Sequence, residues 1–377
     1  MDSKNLSLYI HIPFCVRKCN YCDFLSFPSG ADTRAQYTER LISEIQYYGE
    51  LYKAYNVITI FIGGGTPSCL ERGLIERIMM AVNECYNIAD DAEITIECNP
   101  GTVDRDKLKE YMLCGINRIS FGLQSVRADE LLLLGRIHTF EEFRENYEIA
   151  RDVGFRNINI DLMSALPGQQ LSSQQESVSK VIELAPEHIS CYSLILEEGT
   201  PFGKLYSPEN LPDEELDRQM YYATREMLER SKYRQYEISN YAYEGYECRH
   251  NRVYWQRGNY LGMGLGAASM INNTRWKNKD TLTEYMMLGN GEHIDNNEYH
   301  RLDVSEQMSE YMFLGLRESD GVSIDRFYKE YGCSLDSVYG EWNGKMLETG
   351  LLICEDDMIR LSYKGMDLAN YVMSGYV

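Results

Sequence analysis

The run Leu8-Tyr9-Ile10-His11-Ile12-Pro13-Phe14-Cys15-Val16-Arg17-Lys18-Cys19-Asn20-Tyr21-Cys22 decides how this chain is read. A short apolar, strand-forming segment leads into three cysteines spaced Cys-x3-Cys-x2-Cys. Three thiolates hold three irons of a four-iron cluster, whereas a closed [4Fe–4S] site takes four. The fourth iron is then open to a substrate or cofactor, as the open position of a catalytic zinc is. Two other uses of the cysteines are weaker. A disulfide wants an oxidising compartment, and no signal-peptide core is legible ahead of the run. A zinc site normally draws a second ligand pair from a distance, and no second Cys-x2-Cys occurs. The other cysteines (Cys69, Cys85, Cys98, Cys114, Cys191, Cys248, Cys333, Cys354) are scattered, and most read as small hydrophobes.

Outward from this run, strand and helix signals alternate. Leu6–Ile12 reads as a strand and Arg34–Leu51 as a helix with Tyr37, Leu41, Ile45 and Tyr48 on one face. Further strands are expected at Val57–Ile62, Glu93–Glu97, Arg118–Phe121, Asn157–Leu162 and His188–Leu196. Helices are expected at Leu74–Cys85, Asp104–Cys114, Phe140–Val153, Ser173–Leu184 and Asp213–Ser231. Such βα repetition with short loops predicts a parallel sheet covered by helices, curled into a full or partial barrel. Function then belongs at the C-terminal strand ends. The cysteine loop, Gly63-Gly64-Gly65, Glu97 and Asp161 all fall there.

The remainder divides in two. Tyr233–Asn297 reads as irregular and rich in Tyr, Asn and Gly. Ser305–Leu316, Ile324–Tyr331 and Leu335–Glu348 read as helices, followed by a hairpin around Glu355-Asp356-Asp357 and a last helix at Tyr363–Val372. Three helices and a hairpin make a winged-helix-like module. The expected domains are 1–232, 233–300 and 301–377. The formal charge of −21 argues against broad nucleic-acid binding, so a lid or docking role suits this module better than DNA. No apolar run approaches the about 20 residues of a membrane span. The chain is expected to be cytoplasmic, docking at a membrane only through a partner.

Phe61-Ile62-Gly63-Gly64-Gly65-Thr66-Pro67 follows the second strand. Glycines let backbone approach a ligand closely, so this turn beside an open iron offers a seat for an amino acid's ammonium and carboxylate. With these two motifs in order, the sequence resembles the radical S-adenosylmethionine (SAM) enzymes. In that family SAM chelates the open iron, and its reductive cleavage gives a 5′-deoxyadenosyl radical.

Further motifs narrow the resemblance. Tyr9–Cys15, Glu97-Cys98-Asn99-Pro100, Arg118–Ser125, Arg136, Asn159–Leu162 and Leu166-Pro167-Gly168-Gln169 look like the anaerobic coproporphyrinogen III oxidase group. Carried over position by position, Tyr9, Tyr21, Gly64, Gly65, Thr66, Glu97, Gln124, Arg136 and Asp161 would line the SAM site. The true oxidase resembles Cys-x3-Cys-x2-Cys-x-Cys, but the position of its fourth cysteine is Phe24 here. Its longer N-terminal extension is also missing before Cys15. Both departures point to the HemW-type heme-chaperone branch, which carries His-Asn-x-x-Tyr-Trp, here His250-Asn251-Arg252-Val253-Tyr254-Trp255.

The resemblance implies a [4Fe–4S] cluster, SAM and heme as cofactors. His250 would then be an axial heme ligand, with Tyr254 and Trp255 on the porphyrin and Arg249 or Arg252 at a propionate. Cys248 is a rival ligand, and a hydrogen-bonded core histidine is the alternative use of His250. Heme delivery to an acceptor, such as a membrane-bound respiratory enzyme, is the expected role, with a homodimer as a further expectation. Oxidative decarboxylation of coproporphyrinogen III, and SAM-dependent methyl transfer, are the competing activities.

Overall fold

The computed structural model describes residues 4–377. Its first part alternates β1 (Asn5–Ile12), α1 (Ala31–Tyr52), β2 (Asn56–Gly64), α2 (Leu74–Cys85), β3 (Asn87–Cys98), α3 (Arg105–Leu113) and β4 (Arg118–Gln124). It continues with α4 (Ala128–Leu134), α5 (Phe140–Val153), β5 (Ile158–Ser164), α6 (Leu171–Leu184), β6 (His188–Ser193) and α7 (Glu214–Arg230). Each of β1 to β6 pairs in parallel with the next. This is the expected partial (β/α)6 barrel. Helix starts follow local chemistry: Asp104 and Asp213 accept backbone N–H bonds at α3 and α7, and Thr139 and Glu142 form a capping box at α5.

The strands alternate sharply. Leu8, Ile10, Ile60, Ile62, Ile96, Ile119, Ile160 and Ile189 are fully buried in one core with Tyr37, Leu41 and Ile45 of α1. The intervening residues are polar: Ser7, Thr59, Glu93, Arg118, Ser120, Asn159 and His188 are also buried. Barrel interiors are usually filled with branched aliphatics. Here the aliphatic face meets the helices, and the opposite face carries hydrogen-bonding and charged groups.

The stretch 233–300 differs from the irregular region expected. It forms β7 (Arg234–Gln235), β8 (Asn240–Ala242), α8 (Arg249–Trp255), β9 (Tyr260–Met263), β10 (Ala268–Ile271), β11 (Thr274–Lys277) and β12 (His300–Arg301). Strands of two to four residues are too short to show a period of two. β9 lies parallel beside β1, and β8 lies antiparallel beside β6. The sheet thus reaches twelve strands, in the order β12-β11-β10-β9-β1-β2-β3-β4-β5-β6-β8-β7, and stays open. Fully buried Glu44 of α1 holds the extension in place. It accepts hydrogen bonds from the Gly264 amide, Asn278 and Tyr285, and pairs with His293 at 3.0 Å. The Gly264 and Leu265 amides thereby pack on α1, through Glu44 and Tyr37.

The last part contains α9 (Val304–Gly315), β13 (Val322–Ser323), α10 (Ile324–Tyr331), α11 (Leu335–Glu348), β14 (Leu352–Glu355) and β15 (Met358–Leu361). Three helices and a small sheet of order β13-β15-β14 give the winged-helix-like arrangement. Met312, Leu316, Phe327, Met346, Leu361 and Val372 form a separate core. The single final helix expected is two, Tyr363–Asp367 and Ala369–Ser374, broken where Leu368 leaves helical geometry. Among the described residues, no helix is long and apolar enough to cross a membrane.

Candidate functional site

A cavity of about 530 Å³ opens at the C-terminal ends of the parallel strands and is lined by Cys15, Cys19 and Cys22. That volume suits one small-molecule ligand. Each thiol has a polar neighbour. Thr66 Oγ1 donates to Cys15 Sγ at 3.6 Å, Arg136 Nη1 donates to Cys19 Sγ at 3.4 Å, and Ser26 Oγ lies 4.0 Å from Cys22 Sγ. Asn99 joins the first two contacts. Its Nδ2 donates to Thr66 Oγ1 at 2.7 Å, and its Oδ1 accepts from Arg136 Nη2 at 2.6 Å. No group of three ligating side chains among the described residues is close enough for one metal ion. Three thiols along one cavity wall, each free for a different iron, suit a cluster instead.

The glycine turn forms another wall. Gly64 has φ +114°, and a Cβ there would lie 2.4 Å from the His11 ring. A Cβ on Gly65 would lie 2.6 Å from the Phe14 carbonyl oxygen. Only glycines allow this close approach. The Gly64 amide donates to Glu97 Oε2 at 3.0 Å.

Glu97 and Asp161 bring two half-buried carboxyls to one cavity. Burial, then the charge of Asp161, pushes Glu97 up to about 8. Burial also raises Asp161, against hydrogen bonds from Asn159 at 2.7 Å and Ser120 at 3.4 Å. A carboxyl held as Glu97 is suits a cationic ligand, whose charge favours its ionised form.

Of the residues expected at the SAM site, the cavity brings together Tyr21, Gly64, Gly65, Thr66, Glu97, Gln124, Arg136 and Asp161. Gln124 ends β4 with φ 74°, a conformation uncommon outside glycine that points to a functional constraint. Tyr9 does not line the cavity. Its hydroxyl meets His11 Nδ1 at 2.9 Å, and its ring packs on Phe61. The cavity also uses Asn99, Ser120, Met163, Tyr192 and Ile195, which sequence reasoning missed. Tyr192 had a signal. It continues the His188, Ser190, Tyr192 alternation of β6, and its hydroxyl donates to Gln124 Oε1 at 3.2 Å.

His250 is not brought to this cavity. It is 1 % exposed on α8, with Nδ1 2.8 Å from Thr59 Oγ1 and Nε2 2.9 Å from the Tyr254 hydroxyl. Its ring packs on Phe61. Burial and the nearby Arg118 charge lower its pKa to about 3, so it stays neutral. Both ring nitrogens are thus hydrogen-bonded within the fold, the arrangement of a core histidine. Its neighbours are committed too. Arg249 pairs with Asp91, Arg252 with Glu318, and Trp255 lies beneath Arg317. Cys248 donates to Glu93, whose carboxylate also accepts the Arg249 and His250 amides that open α8.

Comparison with known proteins follows this geometry. Residues 9–181 match the radical SAM superfamily, and residues 302–368 match the HemN C-terminal domain. The chain is 36 % identical to the heme chaperone HemW of Bacillus subtilis over 374 residues, covering 98 % of this chain and 99 % of that protein. It is 42 % identical to the Escherichia coli heme chaperone HemW over 267 residues, covering 71 % and 70 %. Its fold matches the solved structure of coproporphyrinogen III oxidase (HemN) from Escherichia coli, a radical SAM enzyme. The TM-score is 0.87, with 99 % of this chain and 90 % of that chain covered at 24 % identity.

Proposed function

This chain belongs to the HemW family of radical SAM proteins, and we propose that it is a heme chaperone that binds heme and delivers it to an acceptor protein. The acceptor is a membrane-bound respiratory enzyme, met by a cytoplasmic chain that is peripheral to the inner membrane only through that partner. The chain also acts as a homodimer in this reading.

Cys15, Cys19 and Cys22 hold a [4Fe–4S] cluster. Gly64, Gly65 and Thr66 would hold SAM beside the cluster, Glu97 and Asp161 would take its cationic groups, and Arg136 would take its carboxylate. Tyr21 and Gln124 complete the wall, and Tyr9 supports it from beneath. The cluster and SAM, when bound, would supply one-electron chemistry. The chain's residues contribute placement: Thr66 donates to the Cys15 sulfur and Arg136 to the Cys19 sulfur.

The observation that carries this reading is the single cavity where three thiols, a glycine cradle and the acids Glu97 and Asp161 converge. Phe24 favours the chaperone over the oxidase. It is 67 % exposed at the cavity wall, where the oxidase branch would place a fourth cysteine. Anaerobic reconstitution with iron and sulfide tests the cluster assignment. Wild type should take up about four irons per chain. Cys19→Ala should lose the broad iron–sulfur absorbance; a variant that keeps it would remove the assignment.

A further inference from the structure

The polar face of the barrel strands carries a chain of hydrogen bonds that ends at the cluster cavity. Asn159 and Asp161 lie two residues apart on β5, so both project to that face. Asn159 pairs with His188 of β6 across the parallel ladder, which sets the two side chains beside each other. Asn159 Nδ2 donates to Asp161 Oδ1 at 2.7 Å and to Ser120 Oγ at 2.8 Å. Its Oδ1 lies 2.6 Å from His188 Nδ1 and accepts from Ser190 Oγ at 3.2 Å. His188 Nε2 lies 2.7 Å from the Tyr236 hydroxyl, which in turn accepts the Cys248 amide at 3.2 Å. Asn159, His188, Tyr236 and Cys248 are all buried.

The chain of bonds has one direction. An ionised Asp161 only accepts, so the Asn159 amide turns its Nδ2 to the carboxylate and its Oδ1 to His188. That oxygen requires a proton on His188 Nδ1. Burial beside the Arg118 charge keeps the ring neutral, so Nε2 carries a lone pair, which the Tyr236 hydroxyl fills by donating. Every donor from the Cys248 amide to the Asn159 amide thus points toward Asp161. Cys248 directly precedes α8, so the motif helix and the cavity wall share one hydrogen-bonded chain. Asp161 also faces the charges or hydroxyls of Glu97 on β3, Arg118 on β4, Tyr192 on β6 and Tyr21 in the cysteine loop. Ser120 reaches its other oxygen only at 3.4 Å, which leaves Asn159 as the closer donor.

We propose that His188 is a positioning residue for SAM: it locks the Asn159 amide, so that Asp161 presents an oriented acceptor to the ligand. The inference rests on the reading of the cluster cavity as the SAM site. His188 does not line that cavity, so it acts through Asn159 and Asp161. Without the Nδ1 proton, the Asn159 amide can turn over and bring Oδ1 against Asp161. A carboxylate repels that oxygen, so Asp161 would keep a proton or turn away. Either change removes an acceptor from the cavity wall.

The test is a calorimetric SAM titration of the full chain, cluster reconstituted. His188→Leu removes the donor and should weaken SAM binding about tenfold, the scale of one hydrogen bond to a charged group. His188→Asn keeps a donor where Nδ1 lies and should restore most of the affinity. In an Asp161→Asn background, itself weakened, His188→Leu should cost less than about twofold more, because the two residues act as one unit. Where His188→Leu does not fold, Tyr236→Phe deletes only the hydroxyl that fixes the ring and should weaken SAM about twofold or more. Three results would overturn the positioning role: an equal His188→Leu loss in both backgrounds, no rescue by His188→Asn, or wild-type affinity in His188→Leu (in Tyr236→Phe, where the former does not fold). Wild-type affinity in Asp161→Asn would overturn instead the placement of SAM against Asp161.

Discussion

Thr59 Oγ1 on β2 lies 2.8 Å from His250 Nδ1 on α8. Thr59 donates its own proton to Ser7 Oγ at 2.6 Å, so its oxygen takes the imidazole N–H, and Nε2 accepts from Tyr254. The bond ties the motif helix to the barrel interior, while Arg252 and Trp255 tie its other end to Glu318 and Arg317 of the last domain. A seven-residue helix, marginal alone in water, thereby becomes the strut between barrel and module.

Acid should weaken this strut. The folded His250 pKa, about 3, is below the unfolded value near 6.5. Its contribution is therefore complete above pH 6.5 and is lost as pH falls toward 3. Between pH 7 and pH 5 the loss is about 2 kcal/mol. Urea unfolding at both pH values should show it, and His250→Gln should show correspondingly less. Buried His138 and His188, also lowered by burial, keep some acid loss in the variant. An equal pH dependence in the two proteins would contradict the buried neutral imidazole.

SAM affinity should rise with pH. Glu97, near 8 in the ligand-free cavity, holds its proton at neutrality, and a cationic ligand binds its ionised form better. Calorimetric titration of the reconstituted protein should show affinity rising by up to about tenfold per pH unit and levelling above 8. Glu97→Gln should bind more weakly, without that slope. A flat wild-type profile would mean that Glu97 does not face the cation.

Gly64→Ala should damage the cradle itself. The change forces a side chain to adopt φ +114° and drives its Cβ into the His11 ring. We expect a loss of about 1–3 kcal/mol in stability and no measurable SAM binding. A fully stable variant with wild-type affinity would place SAM elsewhere.

Arg136→Gln should spare the cluster but shift its potential. Hydrogen bonds to cluster sulfurs help set that potential, and Arg136 supplies one at Cys19. Anaerobic redox titration should show a shift to more negative potential, on the order of tens of millivolts. An unchanged potential would remove the contact from the account.

Much of this molecule was legible in sequence. Helices such as Leu74–Cys85 and Phe140–Val153 show an apolar face over many residues and end as expected. The cysteine loop and glycine turn are local motifs, so their placement at strand ends followed from the βα order. Two things were not legible. β9 pairs with β1 about 250 residues away, through only four residues. The hydrogen bonds of His250 to Thr59 and Tyr254 were the other, because a motif names residue types but not the atoms they meet. The Glu93 carboxylate beneath it, a charge inside a strand, was the missed clue that α8 is capped from within the barrel.

The most direct test of the central claim is an anaerobic heme titration of the reconstituted wild-type protein, with a parallel sample given reductant, SAM and coproporphyrinogen III. The account predicts saturable binding near one heme per chain, transfer of that heme to an apo respiratory enzyme, and no protoporphyrinogen IX. SAM-dependent decarboxylation without heme binding would contradict it and make the chain an enzyme of porphyrin synthesis.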